Sequence, residues 1–335
     1  MPDFNTPHKV CIRERFDKTL IHFLKNKYGC KIIYYGLPSP EAADIICWKD
    51  DIDYVVAFQC RDYPNPSSPD QSTKDIDALY QKLSELEASE VIEGFDLYDG
   101  YMEEVLFRGI DNSASGAMKY RHDEFVTLFN LDFCNKITSP QQYVDLEGNI
   151  VSKYKFELID KILEYQDAVT KENDKFVLFL TLLCSFDGGE LELFESSHVK
   201  ELEKYWNSDL SKKDKKHYVL KHFVEFHLSE KIRSKNYAFY FMPTVFYRGI
   251  NDIEMMHIAI LCIRPNDTLK EAGIFPVTQG IESVVNQVPI TPNEESNSLV
   301  SFEPSIPGMQ APALDWMNAF ISSNTFKRFW KTDET

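Results

Sequence analysis

The end of one apolar run holds the first residues of this sequence with chemical content. In "FVTLFNLDFCN" the β-branched and aromatic residues from Phe125 read as a buried strand that finishes in Asn130, Asp132 and Asn135. Strand alternation puts Asn130 and Asp132 on one face and Leu131 on the other. An amide and a carboxylate so placed can hold a nucleophile and orient or deprotonate it. The same side chains can also cap the next helix or bond the loop "KITSPQQ". Further on, "CSFDGGE" adds Asp187 and the pair Gly188 and Gly189 to the same rim, as substrate contacts beside Asn135. In "KIIYYGLPSPEAADIICWKD" Gly36 ends a strand, and Ser39, Pro40 and Glu41 are the residue types that start a helix. The free N–H groups of such a helix would face a carboxylate or phosphate, although a plain strand-to-helix turn uses the same residues.

These residues need a scaffold, and the chain alternates strand and helix signals. "CIRERFDKTLIHFLKNKYG" places Phe16, Leu20, Phe23 and Leu24 at helical spacing, with Gly29 closing the helix. "KIIYYG" and "YVVAFQC" read as strands with a short helix between them, and "KDIDALYQKLSELEAS" carries Ile76, Leu79, Leu83 and Leu86 on one helical face. "IEGFDLYDG", the run from Phe125, helical "YKFELIDKILEYQDAV" and the buried strand "KFVLFLTLLCSF" continue the rhythm. It predicts a parallel sheet with helices on both faces. After a charged helical region, "YAFYFMPTVFYRG" and "MMHIAILCIRP" predict a C-terminal antiparallel β-hairpin. Residues 1–288 are expected to form one α/β domain with an N-terminal helix and a helical insertion near 190–234. Residues 289–335 are expected to be a linker and a docking helix containing Trp316, Phe320 and Phe326.

Composition excludes several classes. The 335 residues are 43% hydrophobic, enough for a substantial core, and the net charge of -17 opposes broad coating of a phosphate backbone. A nucleic-acid partner is therefore possible but not indicated, and the basic run "KKDKKHYVLKH" reads as a solvated helix face. Seven scattered cysteines without a C-x-x-C pair point to reduced thiols in a cytoplasmic protein. No apolar run is long enough for a membrane span. His217, His222 and His227, spaced by five, spread around a helix and make no metal face.

Alternating strands closed by an antiparallel hairpin resemble the class I S-adenosylmethionine-dependent methyltransferases over about residues 12–265. The resemblance implies a Rossmann-like methyltransferase sheet and S-adenosylmethionine as cofactor. It also implies cofactor contacts at Gly36 in the first turn, at Gln59 where the family grips the ribose, and at Asp99 and Gly100 beside the adenine. It makes Asp132 and Asn130 the catalytic candidates, with transfer by in-line attack of a substrate nucleophile on the methyl group. Three departures stand out: one glycine in "YYGLPSP", the neutral Gln59 in place of an acid, and "NLDF" without the prolines of amine-modifying relatives. A non-catalytic methyltransferase-like scaffold or sensor is consistent with them. "DIICWKDDIDYVVAFQCRDY" also resembles the start of a restriction-type nuclease, with Asp44, Gln59 and Arg61 as its site. Arg61 in place of lysine and a helical position for Asp44 speak against that alternative.

Overall fold

The β-branched and aromatic runs pair where their patterns place them. The computed structural model describes residues 6, 9–10, 12–60, 69–113, 116–133, 135–172, 174–185, 212–242, 244–248 and 253–266. Strands β1 (Ile33–Gly36), β2 (Tyr54–Gln59), β3 (Gly94–Asp99), β4 (Leu128–Asp132) and β7 (Lys175–Leu183) lie in the order β3-β2-β1-β4-β7, all parallel. Next comes β10 (Glu254–Ile263), antiparallel to β7 over nine residue pairs, and then β8 (Ala238–Phe241), antiparallel to β10. The expected mainly parallel sheet with an antiparallel C-terminal hairpin is therefore present.

A six-residue π-helical turn (Ile12–Asp17), α1 (Lys18–Tyr28), α2 (Ala43–Trp48) and α3 (Pro69–Ala88) cover one face. On the other lie α4 (Met102–Arg108), α5 (Lys155–Val169) and α6 (Lys212–Ser234). Gly29 ends α1 at φ 62°, its N–H and that of Cys30 returning to the carbonyls of Lys25 and Leu24.

Three local expectations change. The segment "YAFYFMPTVFYRG" is two strands, β8 and β9 (Val245–Arg248), each pairing with a different half of β10. β8 ends at Phe241 and β9 starts at Val245. Ser39, Pro40 and Glu41 do not open α2. They form a turn in which Ala42 N–H donates to the Ser39 carbonyl, Ala42 takes φ 52°, and the helix starts at Ala43 with its N–H on Ser39 Oγ at 3.4 Å. A small exposed hairpin, β5 (Pro140–Val144) with β6 (Ile150–Tyr154), was not anticipated, although Asp145 and Gly148 (φ 88°) supply ordinary turn chemistry for it. The linker, the docking helix and the first part of the charged insertion fall outside the described residues.

Helix α4 is short for its position. Seven residues span about 10 Å, against about 20 Å for each six-residue strand beside it, so the crossover from β3 to β4 covers only the carboxyl half of that face. Residues 109–113 and 116–127 continue the crossover as irregular chain tied down by polar contacts. The Tyr35 and Tyr120 hydroxyls are 3.0 Å apart, Tyr120 reaches His122 Nδ1 at 3.0 Å, and His122 Nε2 meets Gln166 Oε1 at 3.1 Å. Gln166 also accepts from the Val126 N–H and donates to its carbonyl.

Two measurements check this architecture. A Cβ at Gly36 would collide with the Asn130 carbonyl oxygen, so Gly36→Ala is expected to cost about 3 kcal/mol by chemical denaturation. Gly29→Ala has open space, and its positive φ should cost about 1 kcal/mol. Burial lowers the His122 pKa, the Gln166 bond opposing it in part, so the imidazole is neutral in the fold. Its contribution to stability is present above about pH 6.5, the unfolded value, and is lost as pH falls through the lowered folded value. His122→Asn should flatten the decline in melting temperature on mild acidification.

Candidate functional site

Open α/β sheets bind ligands at the carboxyl ends of their strands, and here that edge carries a buried polar network. Asn130, on β4 and 5% exposed, donates from Nδ2 to the Tyr34 hydroxyl at 3.2 Å and to Asp44 Oδ2 at 2.9 Å. Arg13, from the π-helical turn, completes the group with an ion pair from Nε to Asp44 Oδ1, while its carbonyl accepts from Trp48 Nε1 at 3.0 Å. Burial works against the Arg13 charge, yet Asp44 outweighs it and the pKa is raised. Burial, reinforced by Asp44, pushes Tyr34 well above the usual phenol range and keeps its hydroxyl neutral. One turn outward, Lys9 pairs with Asp132.

Beside this network lies a second buried chain. His257 in β10 contacts Thr181 Oγ1 through Nδ1 at 2.9 Å and Asp17 Oδ1 through Nε2 at 3.0 Å. Carboxylate, imidazole and hydroxyl in this order are the parts of a nucleophilic triad. All three are buried, and burial raises the Asp17 pKa against the opposing effect of His257. The cavity between the two networks measures about 20 Å³, room for one water and for no substrate.

The sequence-derived candidates divide accordingly. Asn130 and Asp132 share a face with Leu131 opposite, and both are engaged with the protein's own side chains. Gly36 lies against the backbone of β4, since the space a Cβ would take is held by the Asn130 carbonyl. Gln59 ends β2 half-buried, its backbone carbonyl accepting from Gly100 N–H. Asp99 is 2% exposed, and the loop that follows α4 docks on it through bonds from Asp99 N–H to Asp111 Oδ2 and from Asn112 N–H to the Asp99 carbonyl. Gly100 takes φ 143°, and a Cβ there would meet Asn112 Nδ2 at 3.1 Å. Asn135 is exposed beyond β4, its carbonyl accepting from Leu183 N–H. Asp187 lies outside the described residues.

Arg13, Asp17, Tyr34, Asp44, Thr181 and His257 were not singled out from sequence as members of this edge site. A signal existed. Arg13 and Asp17 sit at helical spacing inside the apolar stripe of Phe16, Leu20 and Leu24, and Thr181 and His257 interrupt otherwise apolar strands. Among the described residues no group of three His, Cys, Asp or Glu could hold a metal ion. Asp44 stands on a helix and β1 runs parallel to β2, which removes the hairpin a restriction-type nuclease would need.

No known protein family and no curated protein sequence matches the chain. Solved structures superpose on it faintly. N-methyltransferase NodS from Bradyrhizobium japonicum WM9 is 10% identical with a TM-score of 0.34, over 76% of this chain and 97% of that one. An O-methyltransferase from Bacillus cereus in complex with SAH is 8% identical with a TM-score of 0.34, over 73% and 80%. A protein provisionally assigned as a hemolysin from Lactococcus lactis is 10% identical with a TM-score of 0.33, over 82% and 96%. Likeness this faint carries no weight by itself. The topology decides the fold, because β10 runs antiparallel between β7 and β8 in a sheet whose other six strands in that order are parallel. The fold is that of the class I S-adenosylmethionine-dependent methyltransferases.

Within the methyltransferase fold the cofactor would lie across the carboxyl ends of β1, β2 and β3. The residues present do not fit it. Gly36 is filled by β4, Gln59 brings no charge, and Asp99 is covered by its own loop.

The ion pair at this edge has a measurable weight. Arg13→Ala strands the Asp44 carboxylate in a buried site and is expected to destabilise the fold by about 3 kcal/mol in denaturant titrations. Arg13→Met combined with Asp44→Asn removes both charges and keeps an acceptor for Asn130. This double variant should recover at least half of that loss.

Proposed function

We propose that this methyltransferase-fold protein works as a non-catalytic binding module rather than as an S-adenosylmethionine-dependent transferase. One observation carries this reading: the carboxyl edge is occupied by the protein's own ions, with Arg13 on Asp44 and Lys9 on Asp132, and Asn130 is spent within the first of these groups. A transferase needs this edge open so that cofactor and nucleophile meet in line. Here, of the two side chains best suited to handling a nucleophile, Asp132 holds Lys9 and Asn130 holds Tyr34 and Asp44 instead.

A second reading has a specific observation in its favour. Lys9 and Arg13 come from the segment before α1, so withdrawal of that segment would free Asp132 and one oxygen of Asp44, while Asn130 kept its bonds to Tyr34 and Asp44. On that reading the chain is a transferase whose N-terminal segment must leave before S-adenosylmethionine enters.

Calorimetry separates the two. Titration of the full chain with S-adenosylmethionine and with S-adenosylhomocysteine should give no saturable heat up to about 1 mM, that is, binding weaker than about 4 kcal/mol. Micromolar binding by the unaltered chain would overturn the binding-module reading. Binding acquired only in Lys9→Ala would support the withdrawn-segment transferase.

A further inference from the structure

While the carboxyl edge is closed, the opposite half of one sheet face is open. Short α4 leaves partly uncovered the amino halves of β2 and β3 on the side of Tyr54, Val56 and Asp96, above the buried Tyr35 and Tyr98. Strand β2 lies between two neighbours and would ordinarily be covered on both faces, yet Tyr54 and Val56 are half-exposed. The chain from Met118 to Val126 walls the opening, and the cavity between wall and sheet is about 560 Å³, within the range of small-molecule sites.

Its chemistry favours one sign of charge. Asp96 projects from the middle of β3 onto the cavity floor, half-buried. It accepts a bond from the Tyr54 hydroxyl at 3.3 Å and makes no ion pair among the described residues. Burial raises its pKa, with the Tyr54 bond and then the more distant charge of Arg121 acting the other way. A desolvated carboxylate of this kind gains from a cation brought to it. The half-exposed Tyr54 ring flanks the position, while Tyr98 lines the cavity with its ring buried and stacked on Phe58. The protein's own cation already uses this combination at the entrance, where Lys31 Nζ lies 5.8 Å from the Tyr54 ring centroid and pairs with Glu93 at 2.9 Å and Glu124 at 3.7 Å. Around the whole cavity four carboxylates (Glu93, Asp96, Asp123, Glu124) outnumber the three cations Lys31, Lys119 and Arg121.

We infer that this groove is a binding site for a small organic cation, an amine or quaternary ammonium whose charge meets Asp96 and whose apolar body lies on Tyr54 and Val56. The site is on the other half of the sheet from the Asn130 edge and stands whether or not that edge admits a cofactor.

The test uses the full chain and three probes of similar size: benzyltrimethylammonium, neutral benzyl alcohol and anionic benzoate. Saturable binding of the ammonium is expected by calorimetry, with the other two at least about tenfold weaker. Asp96→Asn retains an acceptor for the Tyr54 hydroxyl and should weaken ammonium binding by about tenfold or more while leaving the melting curve in place. On the unaltered chain labelled with ring-13C tyrosine, the ammonium should shift the Tyr54 resonances, and this holds even if the variant folds poorly. Absence of saturation, benzoate binding as tight as the ammonium, undiminished affinity in a folded Asp96→Asn protein, or shifts that bypass Tyr54 would each overturn the inference. None of these outcomes depends on S-adenosylmethionine, so failure here and failure of the binding-module reading are separable.

Discussion

The Arg13–Asp44 ion pair is the constraint on which the carboxyl edge depends. A guanidinium and a carboxylate, both nearly out of water, are tolerable only as a pair with their remaining hydrogen-bonding capacity engaged. That condition fixes the π-helical turn against α2 through Asp44 and Trp48, and fixes α2 against β4 through Asn130. Asn130 in turn lies against β1, where Gly36 lets the two backbones approach. The edge that ligands use in open α/β sheets has thus become a joint between the N-terminal helices and the middle of the sheet.

Closure at one edge and openness on one face share an origin in the length of individual elements. The approach to α1 is long enough to bring Lys9 and Arg13 over β4, whereas α4 stops after seven residues and leaves Tyr54, Val56 and Asp96 of β2 and β3 partly exposed. Same sheet, different coverage: the methyltransferase plan specifies where strands lie and leaves to the connections which surfaces are accessible. The chemistry has to be argued from those surfaces.

Much of the fold was legible because strands such as "KFVLFLTLLCSF" and helices such as "KDIDALYQKLSELEAS" carry their period in local sequence. The turn at Ser39 misled because serine, proline and glutamate suit a turn as well as a helix start, and Ala42 with its positive φ decides between them. The β5–β6 hairpin escaped notice because it is mostly exposed, so no apolar face marks its period. The candidate site was half-legible. Alternation placed Asn130 and Asp132 on one face, but their partners lie far away in sequence, Asp44 by 86 residues and Lys9 by 123. No window on the sequence joins residues so separated, and a charged residue in an apolar stripe shows only that a partner exists.

The place of β10 has a consequence for how the protein is made. Strand β7 is buried along nearly its whole length in the finished sheet, and its antiparallel neighbour β10 begins some seventy residues later. During synthesis at about 5–20 residues per second, β7 leaves the ribosome seconds before the strand that covers it. For that interval it is an apolar edge with unpaired N–H and C=O groups, the kind of surface that recruits foreign strands. The nascent chain is then most open to capture by another copy or by a chaperone, and that exposure ends when Ile263 pairs with Lys175.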